Sequence, residues 1–238
     1  MTSLWRTCFS ALLAATLSGA TVSGTVELRD SSDPAVRKKS DFSGVVVWLE
    51  PARPVARPPV GGQRAKLVQK DKTFTPHVLA VPVGTTVDFP NLDPIFHNAF
   101  SNYDGKVFDV GLYPPGSSRS VRFDRPGFVR VFCNIHASMS AIIAVVDSPW
   151  FAVTGGNGKF TIADVPPGDY LFRIFHERAA ASALNALSRR VTVGGEPVAL
   201  APVSISESGY LAIPHKNKYG HEYPPAMEGG AGYPAVRP

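Results

Sequence analysis

The sequence predicts an all-β protein built from two β-sandwiches. Proline (22 residues) and glycine (21 residues) are both plentiful, which suits short strands joined by turns better than long helices. Short apolar runs also recur at regular spacing through residues 65–147, and a second series with its own turns follows. With 238 residues, the chain has room for one large domain or two small ones.

Charge and composition argue against some classes of partner. The chain is 44% hydrophobic and 18% charged, as is usual for a soluble protein. The formal net charge is +5, and the basic residues are scattered along the chain rather than clustered. We therefore expect no nucleic-acid partner.

The N-terminus has the pattern of an export signal. Residues 1–6 carry a positive charge, residues 7–17 are apolar, and Ser18-Gly19-Ala20 are small. This order predicts a signal peptide over residues 1–20, cleaved after Ala20, and hence a periplasmic protein. The alternative is a buried N-terminal helix. The apolar run is too short to cross a bilayer, and we expect no membrane span elsewhere.

Export would leave a single thiol. Cleavage removes Cys8, so the mature chain keeps only Cys133. In an oxidising compartment a lone thiol is a hazard unless it pairs between chains or is otherwise occupied. A bound metal would occupy Cys133.

The residues around Cys133 offer further metal ligands. The spacing is Cys-x-x-His-x-x-Met, which includes His136 and Met139, and a second imidazole precedes it in Phe96-His97-Asn98. Two His, one Cys and a weak thioether are the ligands of blue-copper electron-transfer sites. The predicted cofactor is therefore one copper ion that cycles between Cu(I) and Cu(II). We expect Asn98 to supply hydrogen bonds that support the ligand loop.

The same residues resemble a known family, the cupredoxins. Residues 127–139 are similar to the family's ligand loop, with the short spacing of amicyanin, although Phe132 replaces the usual Tyr. Residues 74–76, 84–87, 91–93 and 97–98 are similar to the first half of plastocyanin-like domains. The resemblance covers residues 65–147 and implies a Greek-key sandwich whose copper ligands are His97, Cys133, His136 and Met139. The arrangement also resembles bacterial methylamine-utilisation proteins, which couple this domain to a second β unit.

The remaining strands resemble a carboxypeptidase-regulatory-like module, a prealbumin-type or Ig-like sandwich. The similar residues are 155–162 and 165–171, while the module's usual first strands match residues 24–26 and 44–49. We therefore predict one sandwich split over residues 22–50 and 148–212, with the cupredoxin of residues 65–147 inserted into it. Residues 30–43 read as a loop. The segment 213–238 has little to bury and reads as a disordered tail.

The predicted function is single-electron transport between an unidentified redox donor and acceptor, without enzyme activity. Docking would use an apolar patch beside the ligands, made of Ile95, Phe96, Ile135 and Ala137. The alternative is a periplasmic copper carrier or sensor. Zinc sites usually hold more thiolates and no thioether, and a thiol nucleophile needs a free imidazole. The other histidines (His77, His176, His215, His221) are interpreted as surface or hydrogen-bonded core residues.

Overall fold

A computed structural model describes residues 19–54, 62–102 and 105–223. These residues are nearly all in strands and loops, so the all-β class predicted from the sequence is confirmed. None of the helices in the described ranges is long and apolar enough to cross a membrane. Residues 1–18 of the predicted signal peptide lie outside the described ranges. Strand β1 begins at Ala20, so the predicted cleavage would remove its first residue.

The strands and helices of the described ranges follow one another in this order. The strands are β1 (Ala20–Arg29), β2 (Val46–Pro51), β3 (Arg64–Lys66), β4 (Val68–Lys70), β5 (Thr73–Thr75), β6 (Val78–Pro82), β7 (Thr85–Pro90), β8 (Phe100–Ser101), β9 (Phe108–Asp109), β10 (Ser118–Phe123), β11 (Gly127–Phe132), β12 (Ser140–Val146), β13 (Phe151–Val153), β14 (Lys159–Val165), β15 (Gly168–Phe175), β16 (Arg189–Val193), β17 (Val198–Ala199) and β18 (Val203–Ser206). The helices are α1 (Pro34–Lys39), between β1 and β2, and α2 (Ala181–Ala186), between β15 and β16.

The first sandwich combines strands that lie far apart in the sequence. In one sheet β1 pairs antiparallel with β14 and parallel with β17 and β18. The other sheet has the order β13-β2-β15-β16. Apolar side chains from both sheets form one buried core, which includes Val26, Leu49, Phe172 and Ile205. Residues from both stretches, 22–50 and 148–212, therefore contribute to this core.

The second sandwich lies between those two stretches of chain. Its sheets have the orders β10-β7-β3 and β6-β12-β11-β8-β9, and β4 pairs with β5 in a separate hairpin. Their inner faces enclose a core that includes Phe89, Val131 and Ile143. Cys133 and Met139 belong to the same core, just after β11 and just before β12.

Two strands join the sandwiches because they are apolar on both faces. In β2, Val47 lies in the first core while Val46 faces a third apolar cluster between the sandwiches. In β12, Ile143 lies in the second core while Ile142 faces that same cluster. Successive side chains of a strand point to opposite faces, so each strand serves two cores at once. Residues 45–47 and Leu49 are buried for this reason, and Trp48 is half-buried.

The loop predicted at residues 30–43 is wrong in part, since it contains α1. The carboxylate of Asp33 accepts a hydrogen bond from the N–H of Ala35, and Pro34 occupies the first helical turn. Both features favour a helix start. The helix has only 6 residues, too few for a clear periodic pattern in the sequence.

The disordered tail predicted at residues 213–238 is also wrong in part. Residues 213–223 form no helix or strand, but they pack on the second sandwich through specific hydrogen bonds. These contacts use polar and aromatic side chains, so a search for apolar runs gives no signal for them. Residues 224–238 lie outside the described ranges.

A polar contact adds to the apolar junction between the sandwiches. His77, beside β6, lies 2.7 Å through Nε2 from a carboxylate oxygen of Glu177, beside β15. Its Nδ1 lies 3.2 Å from the carbonyl oxygen of Ser140. An imidazole that donates from both nitrogens is an imidazolium. The hydrogen bond to Glu177 accordingly raises the pKa of His77 above its usual value.

We predict that Glu177→Gln destabilises the protein more at about pH 6 than at about pH 9. A raised His pKa stabilises the fold below the unfolded-state pKa, and this contribution is lost as pH rises through the folded-state value. Because the His77 side chain is 50% exposed, we expect a difference of only about 0.5 kcal/mol in unfolding free energy. Urea unfolding at both pH values measures it, with exposed Glu196→Gln as the control. Equal destabilisation at both pH values would contradict the prediction.

Candidate metal centre

One hairpin positions three of the four predicted ligands. Strands β11 and β12 pair with Phe132 opposite Ser140, so residues 133–139 form the connecting loop. The N–H of Cys133 donates to the carbonyl of Met139 (3.2 Å), and the N–H of Met139 donates to the carbonyl of His136 (3.1 Å). The first, middle and last positions of the loop are therefore fixed by its own backbone.

A neighbouring strand brings the fourth predicted ligand to this loop. Phe100 of β8 pairs with Phe132 of β11, which places the residues before Phe100 beside Cys133. On its other side His97 exchanges two backbone hydrogen bonds with Tyr113, at 3.2 and 2.9 Å. His97 is thus held just before β8 by an isolated bridge to Tyr113, 36 residues before Cys133 in the sequence.

The three strong donors meet at one point. Cys133 Sγ lies 3.8 Å from His97 Nδ1 and 3.6 Å from His136 Nδ1. Among the described residues these are a group of His and Cys whose ligand atoms all lie within 4.8 Å of one another. His97 and Cys133 are buried, while His136 is half-buried and gives the site one edge near solvent.

Met139 is fully buried in the same core as Cys133. Its backbone carbonyl closes the ligand loop by accepting the N–H of Cys133. Its role as a weak fourth ligand remains a prediction.

The environment of the sulfur keeps the thiol protonated when no cation is bound. Burial raises the pKa of Cys133 above its usual value, although backbone N–H groups of Ile135, Asn98 and His136 hydrogen-bond to the sulfur. A metal ion would replace this proton, since the thiolate is the ligand. The N–H groups would then stabilise the resulting negative charge.

The imidazole of His136 is in the form that binds metals. Burial, followed by the proximity of His97, lowers the pKa of His136 to about 4. The ring is therefore neutral at neutral pH, and a neutral imidazole has a free lone pair.

A buried carboxylate orients His97. The Nε2 of His97 lies 2.7 Å from Asp93 Oδ2, and the same carboxylate accepts the N–H groups of Asp71 (2.6 Å) and Lys72 (2.9 Å). Burial raises the pKa of Asp93, but these hydrogen bonds outweigh it and hold the pKa below its usual value. A carboxylate that accepts from Nε2–H leaves Nδ1 unprotonated and facing the sulfur. Asp93 was not among the predicted site residues, although the spacing Asp93-x-x-x-His97 was a usable signal.

The supporting role predicted for Asn98 is divided between its backbone and its side chain. Its backbone N–H reaches the sulfur of Cys133. Its side-chain Nδ2 donates instead to Asp109 Oδ1 at 2.7 Å, away from the ligand loop. Sequence reasoning also missed Gln69, whose Nε2 donates to the carbonyl of Asn98 (3.0 Å) and whose Oε1 accepts from Tyr113 (2.6 Å).

An apolar surface lies on the loops that carry the ligands. The predicted patch consists of half-buried Ile95 and Ile135 and exposed Phe96 and Ala137. Two further apolar side chains on nearby loops, Leu92 (60% exposed) and Leu112 (55% exposed), were not predicted. The binding role of this surface remains a prediction.

This donor set fits a soft transition metal. Two neutral imidazole nitrogens and one thiolate suit copper, whereas Mg²⁺ and Ca²⁺ prefer oxygen ligands. Structural zinc is almost always held by four Cys, His or carboxylate ligands. His97, Cys133 and His136 are the residues that would hold the ion.

Comparison with known proteins finds similarity to solved structures only. No family model matches the chain, and no curated protein matches it. A purple cupredoxin from Nitrosopumilus maritimus is 26% identical over 34% of this chain and 99% of its own, with a TM-score of 0.32. A Cu-containing nitrite reductase from Thermus scotoductus is 30% identical over 40% of this chain and 25% of its own, with a TM-score of 0.35. A reduced amicyanin variant is 18% identical over 42% of this chain and 98% of its own, with a TM-score of 0.34.

These matches cover less than half of this chain, and the chain spans about a quarter of the nitrite reductase. The resemblance of the first sandwich to a carboxypeptidase-regulatory-like module remains a prediction.

We predict that Asp93→Asn lowers metal affinity about 10- to 100-fold. The neutral amide has only one acceptor oxygen for the three donors that Asp93 accepts, so it holds the His97 ring less firmly. Competition with a chromophoric chelator measures the affinity. Exposed Asp124→Asn, which loses an ion pair with Lys106, is the matched control. Unchanged affinity in a folded Asp93→Asn protein would contradict the orienting role.

Proposed function

We propose that this chain is an exported mononuclear blue-copper protein that carries single electrons between periplasmic redox partners. The observation that carries the proposal is the convergence of two imidazole nitrogens and one buried thiol within 4.8 Å. One copper ion, held by His97, Cys133 and His136 with Met139 as a weak fourth ligand, would supply one-electron chemistry through Cu(I) and Cu(II).

The protein residues set the donor positions in advance. The loop is closed by its own backbone hydrogen bonds, and Asp93 holds the ring of His97. Fixed donors limit the change in geometry that accompanies a change in charge, which favours rapid one-electron transfer. Burial of Cys133 also keeps water away from the sulfur.

The half-buried edge of His136 is the proposed route for electrons, with the surrounding apolar patch as the docking surface. A small patch suits a weak encounter, and a carrier must leave its partner quickly. The donor and acceptor are redox proteins in this proposal, and the chain catalyses no reaction of its own.

We expect purified mature protein loaded with Cu(II) to show an intense thiolate-to-copper absorption band and a narrow copper hyperfine splitting. Cys133→Ser should abolish both, because the thiolate is the source of the band. Ser138→Ala, an exposed change on the same loop, is the control and should leave the spectra intact. A colourless Cu(II) adduct of the unmutated protein would refute the blue-copper assignment.

We also expect Met139→Leu to retain the blue colour and raise the reduction potential. Leu removes the axial ligand and makes the site more apolar, which favours Cu(I) because it carries the lower charge. Voltammetry measures the shift. Complete loss of copper from this variant would show that Met139 is more than a weak axial ligand.

A copper carrier or sensor is the second candidate, because the accessible edge of His136 also suits transfer of the metal itself. Two measurements on the copper-loaded protein distinguish these two functions. An electron carrier should retain copper against a Cu(I) chelator and cycle reversibly at an electrode, whereas a metal carrier should release it readily.

A further inference from the structure

We propose that residues 213–223, here called the C-terminal segment, clamp the metal ligands in position, with Tyr223 as the principal positioning residue. This inference rests on the proposed copper function. The segment lies outside all three buried apolar clusters, so its contacts are not explained by core packing.

The segment contacts three consecutive residues, the last residue of β11 and the first two of the ligand loop. The ring of His215 stacks on Phe132 with centroids 4.0 Å apart. The hydroxyl of Tyr223 donates to the carbonyl of Cys133 at 2.7 Å. Asn134, which follows Cys133 in the loop, accepts a hydrogen bond from the backbone N–H of Lys218 through Oδ1 (3.0 Å).

The same segment also contacts β9, which is hydrogen-bonded to the residue next to His97. The ammonium group of Lys218 lies 2.6 Å from Asp109 Oδ2. The other oxygen of Asp109 accepts from the side chain of Asn98, next to His97. Lys218 therefore contacts both parts of the chain that supply ligands. Its backbone N–H binds the ligand loop at Asn134, and its ammonium group binds Asp109, next to the residues around His97.

Tyr223 acts on the residue that provides the thiolate. Its hydroxyl also lies 3.2 Å from His215 Nδ1, so the two anchoring side chains support each other. A hydrogen bond donated to the peptide of Cys133 withdraws electron density from the neighbourhood of the sulfur. Hydrogen bonding around the Cys sulfur tunes the potential of such sites, and a donor favours the reduced ion.

The test is Tyr223→Phe in the mature protein, which keeps the ring and removes only the hydroxyl. We expect the blue band to persist, the reduction potential to fall, and copper release to a chelator to become about fivefold faster, as expected for one lost hydrogen bond. Tyr210→Phe, which removes a hydroxyl just before the segment, is the matched control and should behave as the unmutated protein. Far-UV circular dichroism checks that each variant is folded.

An unchanged potential and release rate in folded Tyr223→Phe would overturn the clamp and leave the copper function standing. A colourless Cu(II) adduct of the unmutated protein would overturn the blue-copper assignment instead, and the rate of copper release would then test the clamp. Lys218→Met provides a second test, since it breaks the contact with Asp109 but retains the backbone N–H. It should also speed release, and an unchanged rate would show that Lys218 takes no part in the clamp.

Discussion

The register of the β11–β12 hairpin is the constraint on which the candidate site depends. Pairing of Phe132 with Ser140 leaves a loop whose first, middle and last positions are Cys133, His136 and Met139. The pairing of β11 with β8 then determines where His97 lies. A slip of one residue would turn the inward side chains of β11 and β12 to the opposite face. The alternation in β11, where buried Val129 and Val131 flank exposed Arg130, therefore protects the site as well as the core.

The first sandwich strengthens this constraint from outside. Because β12 is apolar on both faces, its position is fixed by the second core and by the cluster shared with β2. The stacked rings of Phe128 and Phe175, 3.7 Å apart, add a contact between β11 and β15. A shift of the hairpin would expose apolar area in two places at once, at a cost of about 25 cal/mol per Å². The candidate site is thus supported by both sandwiches.

Features that arise from local sequence patterns could be predicted, and features that arise from distant polar contacts could not. Alternating apolar residues gave the main strands, and a lone thiol with spaced imidazoles gave the residues that converge at Cys133. By contrast, Tyr223 and Cys133 are 90 positions apart and are joined by one hydrogen bond. A single hydrogen bond between distant residues produces no repeating pattern in the sequence. Asp93 falls between these cases, since its spacing to His97 was visible but its burial was not.

The site therefore has two levels of control with different consequences. Strand register sets the positions of the Cα atoms, and an error there would separate the donors altogether. Side-chain contacts then set orientation and charge, as Asp93 does for His97 and the loop N–H groups do for Cys133. Changes at this second level leave the donors together and alter how tightly and at what potential they hold a metal. The contacts of residues 213–223 belong to this second level, because they reach the ligand loop without entering either core.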